Sequence, residues 1–137
     1  MKNGSDLDMS LRMDPRVTRV IDLMERTIDS DRSVASLAAD VNLSTSRLTE
    51  LFRRDVGTTP ARFLRALRME RARQLLERTF LTVKEVMAFV GVNDPSHFTR
   101  EFSRHHGLAP TRLRQRSWAA EYQRPDASAP TKTRNGQ

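Results

Sequence analysis

Two short runs of polar side chains carry the chemistry that this sequence can do. Ser46, Thr49 and Glu50 follow one another at helical spacing, and fifty positions later Ser96, Thr99 and Arg100 repeat the spacing. Residues three and four apart share one side of an α-helix, so each trio lines a single face. Hydroxyls, carboxylates and guanidinium groups are what read base edges in a DNA major groove. Arg100 is the sharpest candidate, because arginine held bidentate to guanine O6 and N7 is the commonest specific contact. Glu50 repels phosphates, so a Glu50 turned toward DNA has a base as its partner. Arg47, Arg53, Arg54, Ser103, Arg104, Arg112 and Arg114 surround these six. They suit phosphate contacts, which give affinity without sequence information. The plain alternative for any of them is a solvated helix face or a solubilising charge.

Other chemistries fall away on composition. The 137 residues contain no cysteine, which excludes a disulfide framework, a zinc finger and a thiol nucleophile together and fits a reducing cytoplasm. His97, His105 and His106 invite a metal, but adjacent histidines on a helix point about 100° apart, so they read as solvated or phosphate-side groups. No nucleophile–base pair, no phosphate-cradling glycine loop and no paired carboxylates stand out; the chain reads as a non-enzyme that calls for no cofactor. The formal net charge of +7 favours a polyanionic partner, nucleic acid or an anionic membrane surface. No apolar run approaches the ~20 residues that span a bilayer, and no signal-peptide pattern opens the chain.

The elements that must position the two trios are organised around Ala61–Arg78. This stretch lacks Gly and Pro, is rich in helix formers and follows Thr59-Pro60, a cap and a proline at the first helical position. Its apolar residues face two ways: Phe63, Leu64 and Leu67 to one side, Met69, Ala72, Leu75 and Leu76 to nearly the other. Such a helix is a rod joining two small subdomains. The flanks agree, because Ser46–Pro60 and Ser96–Pro110 are one pattern written twice: Leu48 matches Phe98, Phe52 matches Phe102, Arg54 matches Arg104, Gly57 matches Gly107 and Pro60 matches Pro110.

In chain order, Asp14-Pro15 opens an amphipathic helix over Pro15–Asp29. Val34, Leu37, Ala38 and Val41 mark a short helix, Asn42-Leu43-Ser44 a tight turn, and Thr45–Val56 a second helix closed by Gly57. Two short helices across a tight turn are the helix-turn-helix pattern. After the rod, Thr82 and Glu85 form a capping box, Gly91 supplies a positive-φ turn, and Asp94-Pro95 opens a helix to His106. This second pair has one extra residue in its turn. Pro110–Tyr122 is a last helix. The expectation is an all-α chain of about seven helices: a disordered arm or linker over 1–13, a first helix-turn-helix subdomain over 14–57, a linker helix over 58–78, a second helix-turn-helix subdomain over 79–122 and a disordered tail over 123–137. Trp118 and the phenylalanines read as core. Phe89, about 100° off its helix's inward side, is expected to pack on the shoulder of the rod or the last helix, with a partner contact as the alternative.

With these residues placed, the chain resembles the DNA-binding domain of the AraC/XylS family of bacterial transcription regulators over about Asp14–Trp118. The likeness rests on Leu37-Ala38-Ala39, Leu43-Ser44, Leu48-Thr-Glu-Leu-Phe52, Gly57-Thr-Thr-Pro60, Leu67-Arg68-Met-Glu-Arg-Ala72, Gly91, Phe98-Thr-Arg-Glu-Phe102 and Gly107-Leu-Ala-Pro110 with Arg112. The resemblance implies seven helices and two recognition helices that enter successive major-groove segments of double-stranded DNA. Three positions depart from the family pattern: Asn42 for the usual Gly, Met87 for a small Ala and Val92 for Phe. Met87 is expected to push the second helix pair slightly apart unless the smaller Val92 absorbs it. The family also implies a sensing or dimerising domain not visible in this chain, and the partner in the alternative reading of Phe89 is such a domain or RNA polymerase. The isolated chain is expected to be monomeric. The competing readings are a non-specific RNA- or DNA-binding module and a helical protein-interaction domain.

Overall fold

The structure, a computed structural model, describes residues 13–30 and 32–122; the expected arm before Met13 and the tail from residue 123 lie outside the described residues. Among the described residues seven helices follow one another: α1 (Pro15–Arg26), α2 (Val34–Asp40), α3 (Thr45–Val56), α4 (Pro60–Arg78), α5 (Val83–Phe89), α6 (Pro95–His106) and α7 (Pro110–Tyr122). The fold is all-α, as expected.

Local chemistry starts these helices where the sequence marks them. The side chains of Asp14, Ser33, Ser44, Thr59, Thr82 and Asp94 each accept a hydrogen bond from a backbone N–H of the first turn that follows. Each such cap stabilises a helix by about 1 kcal/mol. Glu85 completes its capping box by accepting from Thr82 N at 2.8 Å. Gly57 and Gly107 end α3 and α6 at φ 93° and 81°. One end differs from expectation: α1 stops at Arg26, short of Asp29. Thr27 closes it, its amide and its hydroxyl both donating to the Leu23 carbonyl, at 3.0 and 2.7 Å.

The two-faced rod is α4, and it serves two cores. Leu64 joins Val17, Val20, Met24, Leu37, Ala38, Leu48, Leu51 and Phe52 in the first, with Phe63 and Leu67 packed against it. Met69, Ala72 and Leu76 join Val86, Met87, Val90, Phe98, Phe102 and Leu113 in the second. Met87 is buried there and Val92 lies half-buried beside it. Met13, assigned to the arm, packs against the first core.

Long-range polar ties lock helices to one another. Asp55, at the end of α3, accepts from Asp14 N at 2.8 Å and so clasps the start of α1. Arg68, halfway along the rod, donates to the Ser30 carbonyl at 3.0 Å. His106 Nε2, carrying the ring proton, donates to the Met69 carbonyl at 3.0 Å. His106 is therefore docked on the rod instead of solvated.

Three aromatic placements depart from the core expectation. Phe52, Phe98 and Phe102 are fully buried, but Phe80 is 87% exposed, Phe89 53% and Trp118 37%. Phe80 falls in the loop that leaves the rod and lies against Trp118, ring centroids 5.5 Å apart. Phe89 belongs to neither core, so the shoulder contact expected of it is at most partial.

Candidate nucleic-acid interface

Both proposed readers, α3 and α6, are amphipathic helices of 12 residues, about 18 Å long. Leu48, Leu51 and Phe52 turn α3's apolar side into the first core, and Phe98 and Phe102 do the same for α6. What remains outward is the polar run. Ser46, Arg47, Glu50, Arg53 and Arg54 are exposed and Thr49 is half-buried. On α6, Ser96, His97, Thr99, Arg100 and Arg104 are exposed and Ser103 is half-buried. Each helix thus brings its expected trio to one outward face.

Ion pairs divide the cations. Arg47 Nη1 meets Glu50 Oε1 at 2.9 Å, both side chains largely exposed. The pair sets a cation beside Glu50, which offsets part of the repulsion between its carboxylate and a phosphate. Arg104 is bonded at 2.7 Å to Glu101, whose carboxylate is largely covered and also lies 4.0 Å from His105 Nε2. Arg54 is bonded to Asp55 at 2.8 Å. That guanidinium, with the Asp14 amide, holds the Asp55 carboxyl below the usual carboxylate range. Arg53, Arg100 and Arg112 have no ion pair among the described residues.

Arg114 is placed differently from the other expected phosphate contacts. It reaches back to the end of the rod, donating to the carbonyls of Leu76 and Thr79 at 3.2 Å each. Its guanidinium also lies over the Trp118 ring, 5.1 Å from the centroid. Burial lowers its pKa. These bonds satisfy carbonyls that a helix end leaves without partners, so Arg114 acts as a tertiary cap on α4.

Arg112 instead lines a surface groove with Gly107, Leu108, Gln115 and Arg116. Arg116 was not among the expected contacts. Its spacing from Arg112, one helical turn, was the available signal, and arginines at that spacing share one face. Among the described residues no three His, Asp or Glu side chains gather as a metal site, and no helix is long and apolar enough to cross a membrane.

Two helix-turn-helix pairs, each presenting a polar second helix and joined by one shared rod, define a doubled helix-turn-helix protein. A family model described as a helix-turn-helix domain matches residues 37–116. The chain belongs to the AraC/XylS family of transcription regulators. It is 32% identical over 101 residues to the HTH-type transcriptional regulator GbdR of Pseudomonas aeruginosa, covering 74% of this chain and 28% of that protein. Over 108 residues it is 34% identical to the RCS-specific transcriptional activator RclR of Escherichia coli, covering 79% of this chain and 38% of that protein. The chain therefore spans roughly a third of these relatives' length. Among solved structures it is similar to the DNA-binding domain of the global transcriptional factor AdpA in complex with a target DNA. There the TM-score is 0.75 at 26% identity, over 79% of this chain and 97% of that one.

Proposed function

We propose that this chain regulates transcription by binding double-stranded DNA sequence-specifically, inserting α3 and α6 into two successive major-groove segments. Ser46, Thr49 and Glu50 read the first segment; Ser96, Thr99 and Arg100 read the second. Arg47, Arg53, Arg54, Ser103, Arg104 and Arg112 hold phosphates, and Arg116 joins them through the groove it shares with Arg112. Arg114 supports this set from behind by fixing where α7 meets the rod. The observation that carries the reading is the doubled helix-turn-helix with both polar faces turned outward among the described residues, alike over almost the full length of a domain solved on its DNA.

The chain acts as a monomer on an asymmetric site, because its two readers share a serine and a threonine but carry opposite charges at the third base-facing position, Glu50 against Arg100. Adjacent major-groove faces lie about 34 Å apart, so the site consists of two short blocks one helical turn apart. Half-exposed Phe89 supports a contact with RNA polymerase as the route to transcription. Selection from random duplexes tests the reading: two unlike blocks at that spacing are expected. A palindrome bound only as a dimer, or binding without sequence preference at any salt concentration, overturns it.

A further inference from the structure

The glycine at the second turn meets a neighbour that its fellows do not. A Cβ built on Gly57 or Gly107 has nothing within 4 Å, so positive φ alone explains them. On Gly91, at φ +75°, it would stand 2.9 Å from the Ile28 carbonyl oxygen and 3.1 Å from that of Ser30. Both oxygens belong to the chain just beyond α1, in the other half of the molecule.

The first turn supplies an internal control. Asn42 occupies the position matching Gly91 and also has positive φ, 60°. The surrounding hydrogen bonds correspond: Asn42 N and Leu43 N donate to Ala39 and Ala38, as Gly91 N and Val92 N donate to Ala88 and Met87. The turn's backbone therefore accepts asparagine. What asparagine lacks at position 91 is room, because a second backbone is pressed against the turn.

That backbone is held in place. The Ser30 amide and hydroxyl both donate to the Thr27 carbonyl, at 3.0 and 2.8 Å. Arg68 donates to the Ser30 carbonyl from the rod, between Leu67 on the first core and Met69 on the second. A single helix joining two bodies ties them along one line and can curve gently over its length. A contact off that line removes this freedom.

We infer that the seat of the Gly91 turn on the Ile28 and Ser30 carbonyls, braced by Arg68, sets the register between the two readers. Gly91 and Arg68 thereby determine which spacing of DNA blocks is accepted, without touching DNA. The inference rests on the two-block reading above. Adding one base pair between blocks displaces the second by about 3.4 Å and rotates it by about 35°, beyond what a closed seat follows.

The natural chain has no cysteine, so Thr18→Cys and Lys84→Cys, at exposed positions of α1 and α5, give one clean pair of spin labels. The expected distance distribution is narrow in the parent, broadened or shifted by Gly91→Asn and unchanged by Asn42→Gly. On the selected duplex, one added or removed base pair should weaken the parent about tenfold or more, and Gly91→Asn by less than about threefold. Gly91→Asn should also bind the selected spacing more weakly than the parent. Arg68→Met should shift both readouts the same way, and decides the matter if Gly91→Asn does not fold. Folded variants with the parent's label distance and spacing profile overturn the inference. So does a parent indifferent to spacing while protecting both blocks. A selected site holding one block alone overturns the two-block reading instead, and the label distances still report the seat.

Discussion

Arg100 and Arg104 stand one turn apart on α6 with different prospects. Arg100 is exposed and has no ion pair among the described residues, whereas Arg104 must loosen its 2.7 Å bond to Glu101 to engage DNA fully. Arg100→Ala is expected to cost ~1–3 kcal/mol on the selected site and to relax preference at one base pair of the downstream block. Arg104→Ala should weaken selected and scrambled duplexes about equally and lower the salt slope by about one. Titrations of both variants on both duplexes check the division; equal losses on the two duplexes for both variants would overturn it. The outward trios were legible in the sequence because the apolar residues between them assign the faces. The fate of Arg114 was not. Its acceptors, the carbonyls of Leu76 and Thr79, come from positions 38 and 35 residues away, and backbone oxygens leave no mark in a list of residue types.

At the scale of elements, the clasp between α1 and α3 depends on charge. Arg16 bonds hold the Asp14 carboxyl down to about 2, and Arg54 with the Asp14 amide holds Asp55 below the usual carboxylate range. Arg73 does the same for Glu70 on the rod. A carboxyl depressed in the folded state adds stability above its unfolded pKa and loses it as pH falls through the folded value. Thermal midpoints should therefore decline between pH ~4 and ~2. Asp55→Asn keeps an acceptor for Asp14 N and should show a lower midpoint near neutrality with a shallower acid decline; an unchanged profile would remove the clasp from the account. Helix starts were legible to the residue because caps are local chemistry. The end of α1 was not, since the apolar period continues to Ile28 while Thr27 has already turned its hydroxyl onto Leu23. Phe80, Phe89 and Trp118 misled for a related reason: hydrophobicity says what a side chain prefers, and only the assembled surface says whether anything is there to cover it.

For the molecule as a whole, the rod couples the two cores. Leu64 completes one and Met69, Ala72 and Leu76 complete the other, so neither keeps its wall if α4 melts. Calorimetry is expected to show a single transition with equal calorimetric and van't Hoff enthalpies; two resolved transitions would mean that the halves unfold separately. Sharing a wall also bears on how such a molecule can grow. Pro60 and Pro110 open corresponding helices, one of which runs on to serve a second unit while the other gives Leu113 to the second core. Each reader here is one helix pair closed by the helix that follows, and that closing helix doubles as the opening helix of the next. A further reader could be appended by lengthening α7 and adding one more pair, with no new kind of interface. Removal is not symmetrical with addition: a cut before Leu67 takes part of the wall from the first core, and a cut after Met69 takes part of it from the second. An architecture of this kind is easy to extend by duplication and hard to shorten.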